Sequence, residues 1–175
     1  MIISVEEAKA MVDVNGWTDE KIARKLKAIE QTIRAYTNNN FQNRAYRKTA
    51  DIVGGLIYMA EPLFKQGDTV QISESELNAG LFTVSALFAD SVSVEEDVID
   101  EAEVLVTKVE YPADVVDCAL NLLEWEVKNR AKVGIQSETL SRHSVTYFAQ
   151  DASNQVMGYP AALLGCLKAY RKARC

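Results

Sequence analysis

The chain has a single histidine, His143, and only three cysteines, Cys118, Cys166 and Cys175, among 175 residues. The odd cysteine count without CxxC spacing suggests neither a disulfide framework nor a zinc site. These cysteines read as reduced thiols, with Cys118 and Cys166 in the core. No window approaches the roughly 18 apolar residues that a membrane span needs. The opening MIISVEEAKA lacks the basic-then-apolar order of a secretory signal. The expectation is a protein without a membrane partner, kept in the cytoplasm or in something assembled there. GxxxxGK[ST] and GxGxxG are both missing, so no phosphate cradle is expected. The acidic runs Glu95-Glu96-Asp97 and Asp100-Glu101 lack EF-hand spacing and its glycine. No cofactor and no metal are therefore expected, and there is no internal repeat or low-complexity linker.

What is present is a globular composition, 48% hydrophobic and 25% charged, sufficient for one core or for one core with an appendage. The net charge of −6 hides an asymmetry. Residues 51 to 103 hold twelve acids against one base, Lys65, so that block carries −11 and the remainder +5. The split marks the middle as a separate surface, while the flanks suit an anionic neighbour; a solvated acidic face is the plainer alternative. A pI near 4.9 without a reading motif makes independent DNA binding a poor expectation. An acidic surface repels DNA, which suits the wall of a passage.

The periodicity changes twice along the chain. Ser4-Val5-Glu6-Glu7 has the form of a capping box and opens a short helix to about Val12. After a break at Asp13 to Gly16, Trp17 and Thr18 form a staple and N-cap. Ile22, Leu26, Ile29, Ile33 and Tyr36 then recur at helical spacing, and Asn38-Asn39-Asn40 ends that helix. From about residue 43 the pattern alternates. Thr69 to Ser73, Leu81 to Val84, Val92 to Val94 and Val104 to Val109 read as short strands of a small antiparallel meander or barrel, separated by turns. Helical spacing returns after Tyr111-Pro112, with apolar residues over much of the circumference, to an end near Gly134. A last helix is expected after Gly158-Tyr159-Pro160, with Leu163, Leu164, Leu167 and Tyr170 inward and Lys168, Arg171, Lys172 and Arg174 at its basic end. The expected fold is thus mainly α, a bundle of about four helices. It carries an inserted small antiparallel β meander or barrel and a C-terminal strand or hairpin arm. In domain terms, 1–42 and 111–175 form a discontinuous helical core and 43–110 an acidic β-rich insertion.

The only constellation that suggests catalysis is SETLSRHSVTYF, residues 137 to 148. Ser141, His143 and Glu138 would be its nucleophile, base and orienter, with Asp151 as another orienter. There is no GxSxG elbow, and Ser144 adjoins His143, which on a strand puts their side chains on opposite faces. His143 to Phe148 alternates as an ordinary strand does, so no enzyme is expected.

Several stretches in order resemble the head-tail connector (adaptor, or head-completion) proteins of long-tailed bacteriophages and their prophages. They are Ser4 to Lys9, Tyr36-Thr37-Asn38-Asn39-Asn40-Phe41, Tyr111-Pro112-Ala113-Asp114-Val115, Gly134-Ile135 with Ser137-Glu138, Ser144-Val145-Thr146-Tyr147, and Gly158-Tyr159-Pro160 through Tyr170-Arg171-Lys172. Gly67 to Ile72 with Asn78 to Val84 is similar to the β insertion of some of these proteins. The resemblance implies a non-catalytic virion subunit, assembled in the bacterial cytoplasm. It would form a ring beneath the portal protein and join the DNA-filled head to the neck or tail, with DNA passing through unread. On this view His143, Val145, Tyr147 and Phe148 form an inter-subunit arm that adds a strand to a neighbour. Lys168, Arg171, Lys172 and Arg174 dock on the portal, and Glu95, Glu96, Asp97 and Glu101 face the DNA channel. A regulatory protein-binding module outside the virion is the alternative.

Overall fold

The computed structural model describes residues 1–14, 16–130, 137–140, 143–146 and 155–173. The chain divides into two compact units, Met1–Ser4 with Asn39–Pro112 and Val5–Asn38 with Ala113–Cys175.

The first unit is a closed antiparallel barrel of six strands: β1 (Gln42–Val53), β2 (Leu56–Tyr58), β3 (Thr69–Ser73), β4 (Gly80–Leu87), β5 (Ser91–Val94) and β6 (Glu101–Val109), in the spatial order 1-2-5-4-3-6. Alternation places every second residue inside. Ala50 and Ile52, Ile57, Val70 and Ile72, Val84, Val92, and Val104 and Val106 meet in one buried cluster with Met59 and Phe64. β1 closes the barrel by pairing with β2 on one side and β6 on the other. Its register shifts between Asn43 and Arg47 and again between Ala50 and Ile52 let so long a strand bend around the core. Gly54 and Gly55 join β1 to β2 with φ of +58° and +81°, the left-handed pair that a two-residue hairpin turn needs.

Pairing fixes two ends of this barrel. The chain comes in and leaves at one end, where Gln42 lies opposite Val109, Glu110 N–H donates to Phe41 O at 2.9 Å, and the Phe41 and Tyr111 rings meet at 5.0 Å. The opposite, distal end carries the β1–β2 turn, the β3–β4 loop and the start of β6. The crossing segment from β5 to β6 packs Val98 against the barrel core.

The second unit is helical. In α1 (Val5–Met11) Ala8 is buried, and in α2 (Asp19–Thr37) Ile22, Leu26, Ile29 and Ile33 are fully buried. Each of those four side chains contributes about 1.5–3 kcal/mol through burial. The Thr18 hydroxyl accepts from Lys21 N–H at the start of α2, and Asn38 ends it with φ +47°. Thus both caps stand where their side chains suit them. In α3 (Ala113–Asn129) Val115, Cys118, Ala119, Leu122 and Leu123 are buried. A hairpin of β7 (Ser137–Leu140) and β8 (His143–Thr146), described here by its backbone, pairs Glu138 with Val145 and Leu140 with His143. A shorter hairpin, β9 (Gln155–Val156) with β10 (Tyr159–Pro160), leads into the last helix, Ala161–Tyr170. No helix among the described residues is long and apolar enough to cross a membrane.

The mainly α class is overturned. A closed six-stranded barrel with its own core dominates the fold, and short helices accompany it. The strongly periodic helical stretches dominated the sequence pattern, whereas β1, which closes the barrel, is largely polar and β2 is only three residues long. The last helix differs as well, for it is wound as a 3-10 helix. Ala161, Leu164, Leu167 and Tyr170 recur at three, the period of that helix, and the middle two are fully buried. Arg171 is already extended at φ −68°, ψ 126°, so of the bases expected at a helical C-terminus only Lys168 lies in the helix. The expected end of α3 at Gly134 lies outside the described residues.

Gly55→Ala should destabilise the barrel by about 1 kcal/mol, because its φ disfavours any Cβ. A Cβ there meets nothing within 4 Å, so crowding is not the cause. A lower urea midpoint at unchanged slope would register the loss, and Gly55→Asn should recover part of it.

Candidate functional site

Three features of these units bear on function: the distal end of the barrel, a buried carboxylate in the helical unit, and the C-terminal stretch. The distal end is built by side chains that copy strand pairing. The Asn78 side chain receives Ile99 N–H at 2.8 Å and donates to Ile99 O at 2.9 Å, an amide bridge between the β3–β4 loop and the segment before β6. Glu101 accepts from Ser75 Oγ, from Glu76 N–H at 2.7 Å and from Asn78 Nδ2 at 2.7 Å. The Ser75 hydroxyl leads in holding its carboxyl below the ordinary value. Modest desolvation opposes the shift, and Glu76 N–H and the Asn78 amide add to it. Gly54 N–H donates to Asp100 Oδ1 at 2.8 Å, tying the β1–β2 turn to the same segment. Glu96 accepts from Thr83 N–H at 2.9 Å, while Glu95 and Asp97 are exposed. Of the four acids expected to form one surface, two therefore also fasten barrel loops. Among the same loops the apolar Val53, Leu77 and Ile99 are 55%, 57% and 59% exposed.

In the helical unit Glu126 occupies the next position after Leu122 on the apolar stripe of α3 and is 2% exposed. Its carboxylate accepts from Lys25 Nζ at 3.0 Å, Arg130 Nε at 2.9 Å and Tyr159 Oη at 2.8 Å, and it pairs with a second Arg130 nitrogen. Burial alone would raise its pKa, but the bonds from Arg130, Lys25 and Tyr159 prevail and hold it down to about 2. Burial, reinforced by the Glu126 charge, pushes the Tyr159 phenol up. The Arg130 guanidinium lies 4.9 Å from the Trp125 ring and 5.3 Å from the Tyr159 ring, and those rings meet edge to face. A carboxylate ionised throughout the neutral range and fully bonded serves neither as general acid nor as general base. This cluster binds α2, α3 and the β9–β10 hairpin together.

The C-terminal stretch lies along α2. Lys172 N–H donates to Thr37 O at 2.8 Å, Asn38 Nδ2 donates to Ala173 O at 2.9 Å, and Arg171 stacks 5.2 Å from the Tyr36 ring. Lys168, Arg171 and Lys172 are exposed, and Arg174 is outside the described residues. Of the expected arm, His143 and Val145 fall on β8, while Tyr147 and Phe148 lie outside the described residues. Ser141 and Asp151 of the hydrolase reading are outside them too. Cys118 is buried and donates to Leu163 O at 3.3 Å, with burial pushing its thiol up. Cys166, expected in the core, is exposed, because the three-residue period of the last helix buries Leu164 and Leu167 instead.

A shallow groove of about 260 Å³ between α1 and α3 is lined by Met11, Val12 and Leu120 with Asp117, Asn121 and Glu124 at its polar side. Among the described residues no group of three or more acidic, histidine or cysteine side chains could hold a metal ion. Sequence reasoning missed Glu126, Tyr159 and the Asn78–Glu101 clasp. The one available signal was an acid at a stripe position, four residues before an arginine.

No protein-family model matches the chain, and no curated protein sequence matches it.

Two outcomes follow from these contacts. Glu126→Ala should cost about 1–3 kcal/mol, because the buried Tyr159 hydroxyl loses its acceptor while Lys25 and Arg130 keep access to solvent. The folded pKa of Glu126 lies below the unfolded one. Its contribution is therefore complete above the ordinary carboxyl value of 4.5 and is lost as pH falls towards about 2. Stability curves between these pH values should flatten in Glu126→Gln relative to wild type. Glu101→Ala should speed amide exchange at Glu76 while leaving the middle of β6 protected, as hydrogen-exchange mass spectrometry would show.

Proposed function

We propose that the chain is a structural subunit of a bacteriophage head-tail connector, which forms a ring beneath the portal and joins the DNA-filled head to the neck or tail. The order of the motifs from Ser4 to Lys172 supports the family assignment. The observation that carries the assembly reading is the β7–β8 hairpin, which gains no third strand among the described residues. An isolated two-stranded ribbon is marginal in water, and its two edges offer unpaired N–H and C=O groups to a neighbour's strand. Such an arm gives a head-to-tail contact, which closes into a ring when its rotation permits. Portal docking and neck attachment then require geometry rather than chemistry from this subunit.

The groove between α1 and α3 favours a second reading, a protein-binding module outside the virion. Met11 and Leu120 offer apolar contact and Asp117 selects a basic partner.

Mixing the purified chain with the portal protein encoded by the same genome, followed by electron microscopy, tests the first reading. A ring stacked on the portal is expected; a folded monomer without affinity for the portal would sink it and favour the module. Proline at Ser144 and at Val145, in separate variants, removes a donor facing each side of β8. At least one variant should keep its thermal midpoint and lose the ring. Rings formed equally by both would remove the hairpin from the interface.

A further inference from the structure

We infer that the distal end of the barrel is a protein-docking surface whose occupant is the basic C-terminal stretch of a second copy of this chain; the inference rests on the reading of the chain as a self-assembling subunit. The surface is mixed, and its mixture selects the partner. Residues 51–56, 74–79 and 94–103 hold nine acids and no base. Among them stand Val53, Leu77 and Ile99, each more than half exposed. The three are neighbours through the bonds already described: Asn78 joins the Leu77 loop to Ile99, and Gly54 joins the Val53 turn to Asp100. A wall that only repels DNA requires acids and gains nothing from apolar side chains among them. A protein interface uses both, apolar contact for affinity and charge for orientation and partner choice.

The chain itself contains the complement. The barrel unit carries thirteen acids and five bases, and the helical unit twelve acids and fourteen bases, so the two have net charges of −8 and +2. Within the helical unit, exposed Lys168 and Lys172 flank exposed Ala169, with exposed Ala162 and Cys166 on the turns before them. The bond from Lys172 N–H to Thr37 O and the bond from Asn38 to Ala173 hold this stretch on α2, so it is presented without being ordered anew. Contact between one copy's distal end and the next copy's C-terminal stretch is heterologous, as a ring requires. This assigns Lys168 and Lys172 to a neighbouring subunit, in place of the portal, and turns the acidic end away from DNA.

Sedimentation of the full chain tests the contact. Wild type should self-associate at about 0.05 M salt and dissociate at about 0.5 M, where screening is short-ranged. Glu76→Lys with Asp97→Lys should be monomeric at low salt, as should Lys168→Glu with Lys172→Glu. An equimolar mixture of the two double variants should associate again, because each then presents the complement of the other. That recovery also shows that both are folded. Leu77→Ser with Ile99→Ser should weaken association about tenfold while leaving its salt dependence in place. Wild type that stays monomeric at low salt, or charge variants that associate as wild type does, would overturn the inference. The portal experiment separates the two levels of failure. Rings on the portal that tolerate both charge reversals refute this contact and keep the connector reading, whereas no ring with wild type refutes the connector reading itself.

Discussion

The barrel depends on one pairing, β1 with β6. These strands are the first and last of the unit, more than fifty residues apart at most registers, and their ladder from Gln42–Val109 to Ile52–Glu101 closes the sheet. Closure removes the free edges that a six-stranded sheet would otherwise expose. It also returns the chain to the end of the barrel at which it entered, beside Phe41. The Phe41–Glu110 bond and the Phe41–Tyr111 contact seal that return, and only three residues separate the last strand from α3. Long-range closure of this kind carries a loop-entropy cost that grows slowly with length, and the buried apolar cluster offsets it.

A different interaction organises the helical unit. Three elements meet at the Glu126 carboxylate: α2 brings Lys25, the end of α3 brings Arg130 and β10 brings Tyr159. Hydrogen bonds to a carboxylate fix direction as well as proximity, which apolar contact does not. Both oxygens of the carboxylate are used, and the Trp125 and Tyr159 rings lie beside the guanidinium, which keeps one side to solvent. The C-terminal stretch adds a second tie by bonding to the last turn of α2. Lys168 and Lys172 are thereby held at the surface on a fixed backbone.

The proposed function uses what these two frameworks leave open. The barrel spends Glu96, Asp100 and Glu101 on its own loops and exposes Glu95, Asp97 and three apolar side chains at the same end. The helical unit exposes bases along its last stretch. An assembly subunit needs surfaces of this type, since it acts by being held between neighbours.

The ends of α2 were determined by the sequence alone. Thr18 acts through its hydroxyl on an amide three residues on and Asn38 through its left-handed backbone, and the four isoleucine and leucine positions between them share one face at a period of 3.6. Strands β3 to β6 were legible for the same local reason, as two-residue alternation between turn residues. β1 was not, because Arg44, Arg47 and Lys48 obscure the alternation and two register shifts interrupt it, and β2, with three residues, is too short to show a period. Only Gly54-Gly55 marked their hairpin. Tertiary structure decided the rest. Whether a row of strands closes depends on a pairing between residues distant in sequence, so a meander and a barrel have the same local pattern. The last helix is wound as a 3-10 helix with Leu164 and Leu167 both buried, and a spacing of three in the sequence suits an α-helix equally well. Glu126 entered the core because Lys25, Arg130 and Tyr159 converge there in space, and no local period records that convergence.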